Sequence, residues 1–178
     1  MKRNLIPVAL FVLVLVATSL LAGGSGKAQG LSAEEQQFVK KAAAGGLAEV
    51  KLSELADDRA SDPKVKDFAK QMVIDHTQAN NELKPIAEAS KIPVATKLQG
   101  EHEVAYQRLE KLSGAKFDAA YIQIMVSDHD KTVSAFEEAS SKLQDPHLKA
   151  FVDKTLPVLR QHKQHIHEIA NAVSEGKA

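Results

Sequence analysis

One repeated piece of punctuation constrains this chain more than anything else in it. Asp62-Pro63-Lys64-Val65-Lys66-Asp67-Phe68 matches Asp145-Pro146-His147-Leu148-Lys149-Ala150-Phe151. In each copy the aspartate suits a helix N-cap, and the proline suits the first helical turn, where a missing N–H costs nothing. Counting back 24 residues from each aspartate reaches Phe38 in one half and Tyr121 in the other. The second half therefore reads as a copy of the first, and each copy as a helical hairpin.

The hairpins can be bounded from their caps. Ser32 followed three residues later by Glu35 is a capping box, so a first helix is expected over Ser32 to Ala60 and a second from Pro63 to about Ser90. Their counterparts are about Lys116 to Lys142 and about Pro146 to Ser174. Between the halves, Lys91-Ile92-Pro93 breaks the second helix, Glu101 to Leu112 reads as a short helix, and Ser113-Gly114 ends it. That crossover is far longer than a tight turn between antiparallel helices needs, so it can run the length of a bundle and set the third helix parallel to the second. The expected fold is all-α, a ferritin-like four-helix bundle of two duplicated hairpins with a long crossover containing a short helix. Abundant alanine and few aromatic residues suit close-packed helices.

Steps of three and four residues pick out the face that each helix buries. These stripes run Phe38, Ala42, Gly45, Glu49, Leu52, Ala56, then Val65, Met72, His76, Ala79, Leu83, Ile86. They continue as Tyr121, Met125, His129, Thr132, Phe136, Ala139, and finally Leu148, Phe151, Thr155, Leu159, His162, Ile166, Ile169. Four polar residues, Glu49, His76, His129 and His162, thus stand where apolar ones belong. Burying such groups without partners costs a few kcal/mol each. Glu49 lies 13 residues before Asp62 and His76 14 after it; His129 lies 16 before Asp145 and His162 17 after it. At about 1.5 Å per residue all four can meet at one mid-bundle level.

Two explanations of that level stay open. The four can hold one divalent transition ion, Zn, Cu, Mn or Fe, or they can form a buried hydrogen-bond cluster with water that fixes helix register. Met72 and Met125, one turn before His76 and His129, are candidate soft donors to copper but equally ordinary core residues. Asp75 and Asp128, each preceding a histidine, are placed to orient a neighbouring imidazole or to be solvated. His165 can share the face of His162, whereas His167 turns away; His102 and His147 read as surface residues. Pro157 is expected to kink the fourth helix, and Gly45-Gly46 to mark a close helix contact.

The chain ends and composition bound the rest. Lys2 and Arg3 precede an apolar run from Leu5 to Ala22, and Gly26-Lys27-Ala28 fits a small-x-small cleavage pattern. Residues 1–28 are therefore expected to be a signal peptide and residues 29–178 the folded domain, in the periplasm or cell envelope with no membrane span after cleavage. Without Lys2, Arg3 and Lys27 the charge is 20 basic against 23 acidic residues, a net −3, which argues against nucleic acid as a partner. With no cysteine, any metal must use His, Asp, Glu or Met. No nucleophile arrangement, phosphate loop or cysteine redox pair is visible, so an enzyme is not the leading expectation. A redox enzyme would need an open position on a bound metal. The pattern leaves homo-oligomerisation and any protein partner open.

The blocks Phe38-Val39 to Gly45-Gly46-Leu47-Ala48-Glu49-Val50, Met72-Val73-Ile74-Asp75-His76, Phe117-Asp118-Ala119-Ala120-Tyr121 with His129, and Leu156-Pro157-Val158-Leu159 with His162 resemble a known family. It is the ferritin-like domain of unknown function 4142 of exported bacterial proteins, often labelled outer membrane proteins. The resemblance implies a helical bundle in the cell envelope with no established activity. Compared with di-iron ferritins the chain departs where it matters, because those place a Glu-x-x-His on two helices. Here Val73 and Leu159 stand three residues before His76 and His162. Ferric storage and di-iron oxygen chemistry are therefore not expected. The expected function is a bundle that binds one transition-metal ion for metal handling or envelope stress; the alternative is a non-catalytic structural or partner-binding envelope protein.

Overall fold

The structure is a computed structural model that describes residues 30–176; the expected signal peptide over 1–28 lies outside them. Five helices form, α1 Ala33–Arg59, α2 Pro63–Ala89, α3 Gly100–Leu109, α4 Gly114–Lys142 and α5 Pro146–Ser174. No strand occurs among the described residues. The caps act as the sequence anticipates. Ser32 and Glu35 make a full capping box at α1, while Asp62 and Asp145 cap α2 and α5 with proline in the first turn.

α1 packs on α2, α4 on α5, α2 on α5 and α1 on α4, with α3 laid against α1 and α4. The crossover does set the second and third long helices parallel, as two sets of hydrogen bonds establish. At one end, Asp118 near the start of α4 accepts from the backbone N–H groups of Ser61 (3.0 Å) and Asp62 (3.0 Å) and from the Ser61 hydroxyl. At the other, Glu35 in the first turn of α1 accepts from the backbone N–H groups of Gln144 (2.9 Å) and Asp145 (2.8 Å). So α2 and α4 start at the same end, and α1 and α5 start at the opposite one.

These two carboxylates are counterparts in the duplication, since Glu35 lies 27 residues before Asp62 and Asp118 lies 27 before Asp145. Each hairpin's first turn clamps the N-terminus of the other hairpin's second helix, where free N–H groups and the helix dipole favour an anion. The Glu35 carboxyl is pushed down to about 2: burial alone would raise it, but the N–H groups of Asp145, Ser32 and Gln144 outweigh that.

The ends of α3 and α4 differ by a few residues from expectation. The chain leaves α3 through i→i−3 turns at Lys111 and Leu112, then extends at Ser113, and α4 begins at Gly114 with a positive φ of 57°. α2 ends in a Schellman motif. The Ile92 N–H reaches the Ala87 carbonyl (2.8 Å) and the Lys91 N–H that of Glu88 (3.0 Å), with Lys91 left-handed at φ 54°. Pro157 stands inside α5, which continues through it to Ser174. An added Cβ on Gly46 would lie 2.1 Å from Asn80 Oδ1, so this glycine does permit a close α1–α2 approach; one on Gly45 would meet open space.

The apolar interior divides in two. One cluster, with Leu52, Phe68, Met72, Phe117, Tyr121, Met125 and Ile166, fills the end clamped by Asp118. The other, with Val39, Leu83, Phe136, Leu148, Phe151 and Leu159, fills the end clamped by Glu35. Glu49, His76, His129 and His162 are all buried in the layer between them.

Candidate metal centre

Three of the four inward polar residues come together. His76 from α2, His129 from α4 and His162 from α5 each offer a nitrogen, and these donor atoms all lie within 4.8 Å of one another. The ring centroids are 5.5 to 5.8 Å apart. Phe68, on the apolar floor of the site, meets His129, His162 and the exposed His165 edge-on, with centroids at 6.1, 6.5 and 5.4 Å.

Hydrogen bonds fix which nitrogens face the centre. His129 Nδ1 lies 2.9 Å from the Met125 carbonyl, which can only accept, so Nδ1 carries the proton and Nε2 the lone pair. His162 Nε2 lies 2.8 Å from Asp75 Oδ2, so an ionised Asp75 places the lone pair on Nδ1. The remaining nitrogens, His76 Nε2, His129 Nε2 and His162 Nδ1, are buried with no hydrogen-bond partner. All three histidines hold lowered pKa values. Burial is the largest cause for each. His129 and His162 add to it at His76, His162 adds to it at His129, which falls to about 4, and the Asp75 contact opposes it at His162. At neutral pH the three rings are uncharged, with lone pairs on His129 Nε2 and His162 Nδ1 beside the unpartnered His76 Nε2. Orphaned acceptors of this kind cost roughly 1–3 kcal/mol each, and a cation satisfies all three at once.

The other residues singled out by sequence fall differently. Glu49 is buried, but its carboxylate approaches His129 at Nδ1 (3.9 Å), the nitrogen already turned to Met125, and Glu49 is not part of the mutual cluster. Burial and the neighbouring Asp128 raise its pKa well above the ordinary value, and Oε2 has no partner. Asp128 thus faces Glu49 and, on α3, His102 and Glu101, rather than orienting an imidazole. Asp75 does orient one, the imidazole of His162 across the α2–α5 interface, not that of its neighbour His76. Met125 serves through its backbone carbonyl, and both Met72 and Met125 are fully buried core residues. His165 is exposed beside Phe68, and His167 pairs with Asp130 at 3.0 Å. Sequence reasoning missed Phe68, although its place in the repeated heptapeptide was a signal.

A cavity of about 70 Å³ between α2 and α5 opens onto the cluster and is lined by Asp75, His76, Ala79, Glu82, Lys154 and His162, among others. No helix among the described residues is long and apolar enough to cross a membrane.

No curated protein matches the sequence. Among solved structures, a DUF305 fragment from Deinococcus radiodurans is similar at a TM-score of 0.71 and 12% identity, covering 80% of this chain and 99% of that one. CopM in the Cu(I)-bound form is similar at 0.65 and 15%, covering 76% and 94%. A DUF305 protein from Streptomyces coelicolor, described as secreted, is similar at 0.64 and 13%, covering 74% and 88%. At such identities the likeness speaks to the helical-bundle fold. A family model matches residues 21–169, and the chain belongs to that family, described as Domain of unknown function (DUF4142).

Proposed function

We propose that this bundle binds one transition-metal ion through His76 Nε2, His129 Nε2 and His162 Nδ1, and serves metal handling in the cell envelope. One observation carries the proposal: three buried imidazoles each offer a nitrogen within 4.8 Å of the others, and each has a buried nitrogen without a hydrogen-bond partner. Metal–nitrogen bonds of about 2 Å hold ligands no more than about 4 Å apart, so inward rotation of the rings by less than about 1 Å completes the site.

The donor set selects among Zn, Cu, Mn and Fe. Manganese and ferrous iron favour carboxylate oxygens, and none joins the cluster, whereas imidazole suits copper and zinc. Among the described residues the carboxylate hydrogen-bonded to one of the three histidines is Asp75, so a monovalent ion leaves the layer nearly neutral while a divalent one leaves a buried charge. That favours Cu(I), and the likeness of the fold to a protein seen in a Cu(I)-bound form supports it. Residues 1–28 as a cleaved signal, with 29–178 as the exported domain, fit this role, as does the likeness to a protein described as secreted.

Metal content after purification from the native compartment tests the proposal, against His76→Ala and His162→Ala. The wild type is expected to carry close to one ion per chain and the variants far less. Near-zero occupancy in all three after incubation with Zn, Cu, Mn and Fe overturns it. Metal bound only to the folded state adds about 2.7 kcal/mol at a hundredfold excess over Kd, so a chelator should lower the melting temperature of the wild type alone. If chelation changes nothing while Glu49→Ala strongly destabilises, the layer is architectural.

A further inference from the structure

We infer that the cleft between α2 and α5 is the port through which the ion reaches the site, with Glu82 and Asp75 as successive cation guides and Lys154 as its latch. This rests on the metal reading above and assigns residues that do not coordinate. The cavity of about 70 Å³ is the observation that carries it, because two of its walls are the imidazoles of His76 and His162, whose buried donor atoms lack partners. Asp75 and Glu82 lie seven residues apart on α2, two turns, and line the same cavity. Asp75 is bonded to His162, and Glu82 lies farther along α2.

Across Glu82 lies Lys154 of α5, its Nζ 2.6 Å from Glu82 Oε1. Lys154 is well exposed, whereas Glu82 is half-buried. An exposed pair of this kind contributes little to stability, yet it stands in the cleft that leads to the histidines. The ammonium occupies the carboxylate that would first attract a cation and repels the cation itself. Ala79, one turn after His76 and also in the cavity wall, leaves the passage open by being small.

The electrostatics give opposite signs to opposite changes. Removing the ammonium with Lys154→Met leaves the Glu82 carboxylate with the neutral Gln78 amide as donor (3.1 Å), so its charge is no longer neutralised across the cleft; this should speed entry. Removing the carboxylate with Glu82→Gln leaves an unpaired ammonium in the cleft and should slow it. Narrowing the passage with Ala79→Leu, or Ala79→Val if the larger side chain prevents folding, should slow it without changing charge. All of these leave the three ligands in place.

The test is anaerobic stopped-flow transfer of Cu(I) from a coloured chelator complex to the full chain, read as bleaching, with thermal unfolding confirming that each variant is folded. Transfer is expected to run about tenfold faster in Lys154→Met and severalfold slower in Glu82→Gln and in the Ala79 variant, each still reaching one ion per chain. In 0.5 M NaCl the gap between Lys154→Met and Glu82→Gln should narrow, because screening acts within about 10 Å at 0.1 M and less at higher salt. Equal rates in all variants, with uptake intact, overturn the port and leave the metal site standing. A wild type that takes no copper overturns both.

Discussion

Replacing Glu35 by Gln should remove one of the two clamps that hold the hairpins together, and its cost can be worked from the structure. Folding lowers the Glu35 pKa from 4.5 to about 2. By linkage, a carboxyl that titrates that much lower in the folded chain stabilises it by at most about 3 kcal/mol at neutral pH. The hydrogen bonds that hold the carboxylate are only partly buried, so solvent screening trims that figure. Glutamine loses the charge and has one acceptor oxygen where the carboxylate uses two, Oε2 for the Ser32 N–H and Oε1 for those of Gln144 and Asp145, so it cannot serve the capping box and the clamp together. We expect Glu35→Gln to lose about 2–3 kcal/mol at pH 7, or a melting shift of about 4–12 °C for a domain of this size. Because the folded pKa lies below the unfolded one, the stabilisation is complete above pH 4.5 and drains as the pH falls toward 2. The gap between wild type and variant should therefore close over that window. Urea unfolding followed by helical circular dichroism at pH 7, 5, 4 and 3 measures it, with Glu34→Gln, exposed in the same turn, as control. A loss no larger than that of the control, or one unchanged at pH 3, refutes the clamp.

Asp118→Asn, the counterpart at the opposite end, should cost about 1–3 kcal/mol by weakening bonds from Ser61 and Asp62, and equilibrium unfolding of the double variant with Glu35→Gln should show near-additive losses, as expected for distant sites. Lys91→Gly should stabilise the chain by about 1 kcal/mol, because Lys91 holds the left-handed conformation that glycine adopts without strain; a lower urea midpoint than wild type contradicts the Schellman cap. Chelation should lower the melting temperature of wild type but not of His129→Ala, whose Nε2 donor is gone; equal shifts in both place the metal elsewhere.

The fold was legible because its boundaries are written as local chemistry. Ser32 with Glu35, Asp62-Pro63 and Asp145-Pro146 are caps that any sequence reading can locate, and α5 begins and ends where its pattern does. The three histidines were legible because helical spacing fixes the face of each. Glu49 shows the limit of that argument. A stripe establishes that a side chain points inward but not which neighbour it meets, and Glu49 turns toward Asp128 and the protonated nitrogen of His129. Asp75 was placed on the edge of its stripe, yet its partner lies 87 residues away on α5, a pairing set by how α2 and α5 dock. The Met125 carbonyl is a backbone group, which no side-chain pattern reveals.

A symmetric frame carries an asymmetric site, and that asymmetry bears on stoichiometry. Under the duplication His76 corresponds to Leu159, His162 to Ala79, His129 to Gly46 and Glu49 to Thr132. The clamps are kept in both halves, because each hairpin needs the other to anchor its second helix. The donors are not, so one set of imidazoles exists where a paired di-metal site would need two. Two of the residues at the counterpart positions shape the site: Ala79 lines the cavity that reaches His76 and His162, and Gly46 lets Asn80 of α2 sit against α1. With apolar clusters above and below and a carboxylate clamp at each end, the four long helices are held in register around that layer. Three imidazoles from three helices are thus brought to one level, an arrangement that suits the single ion proposed above and not a growing mineral or a bridged pair.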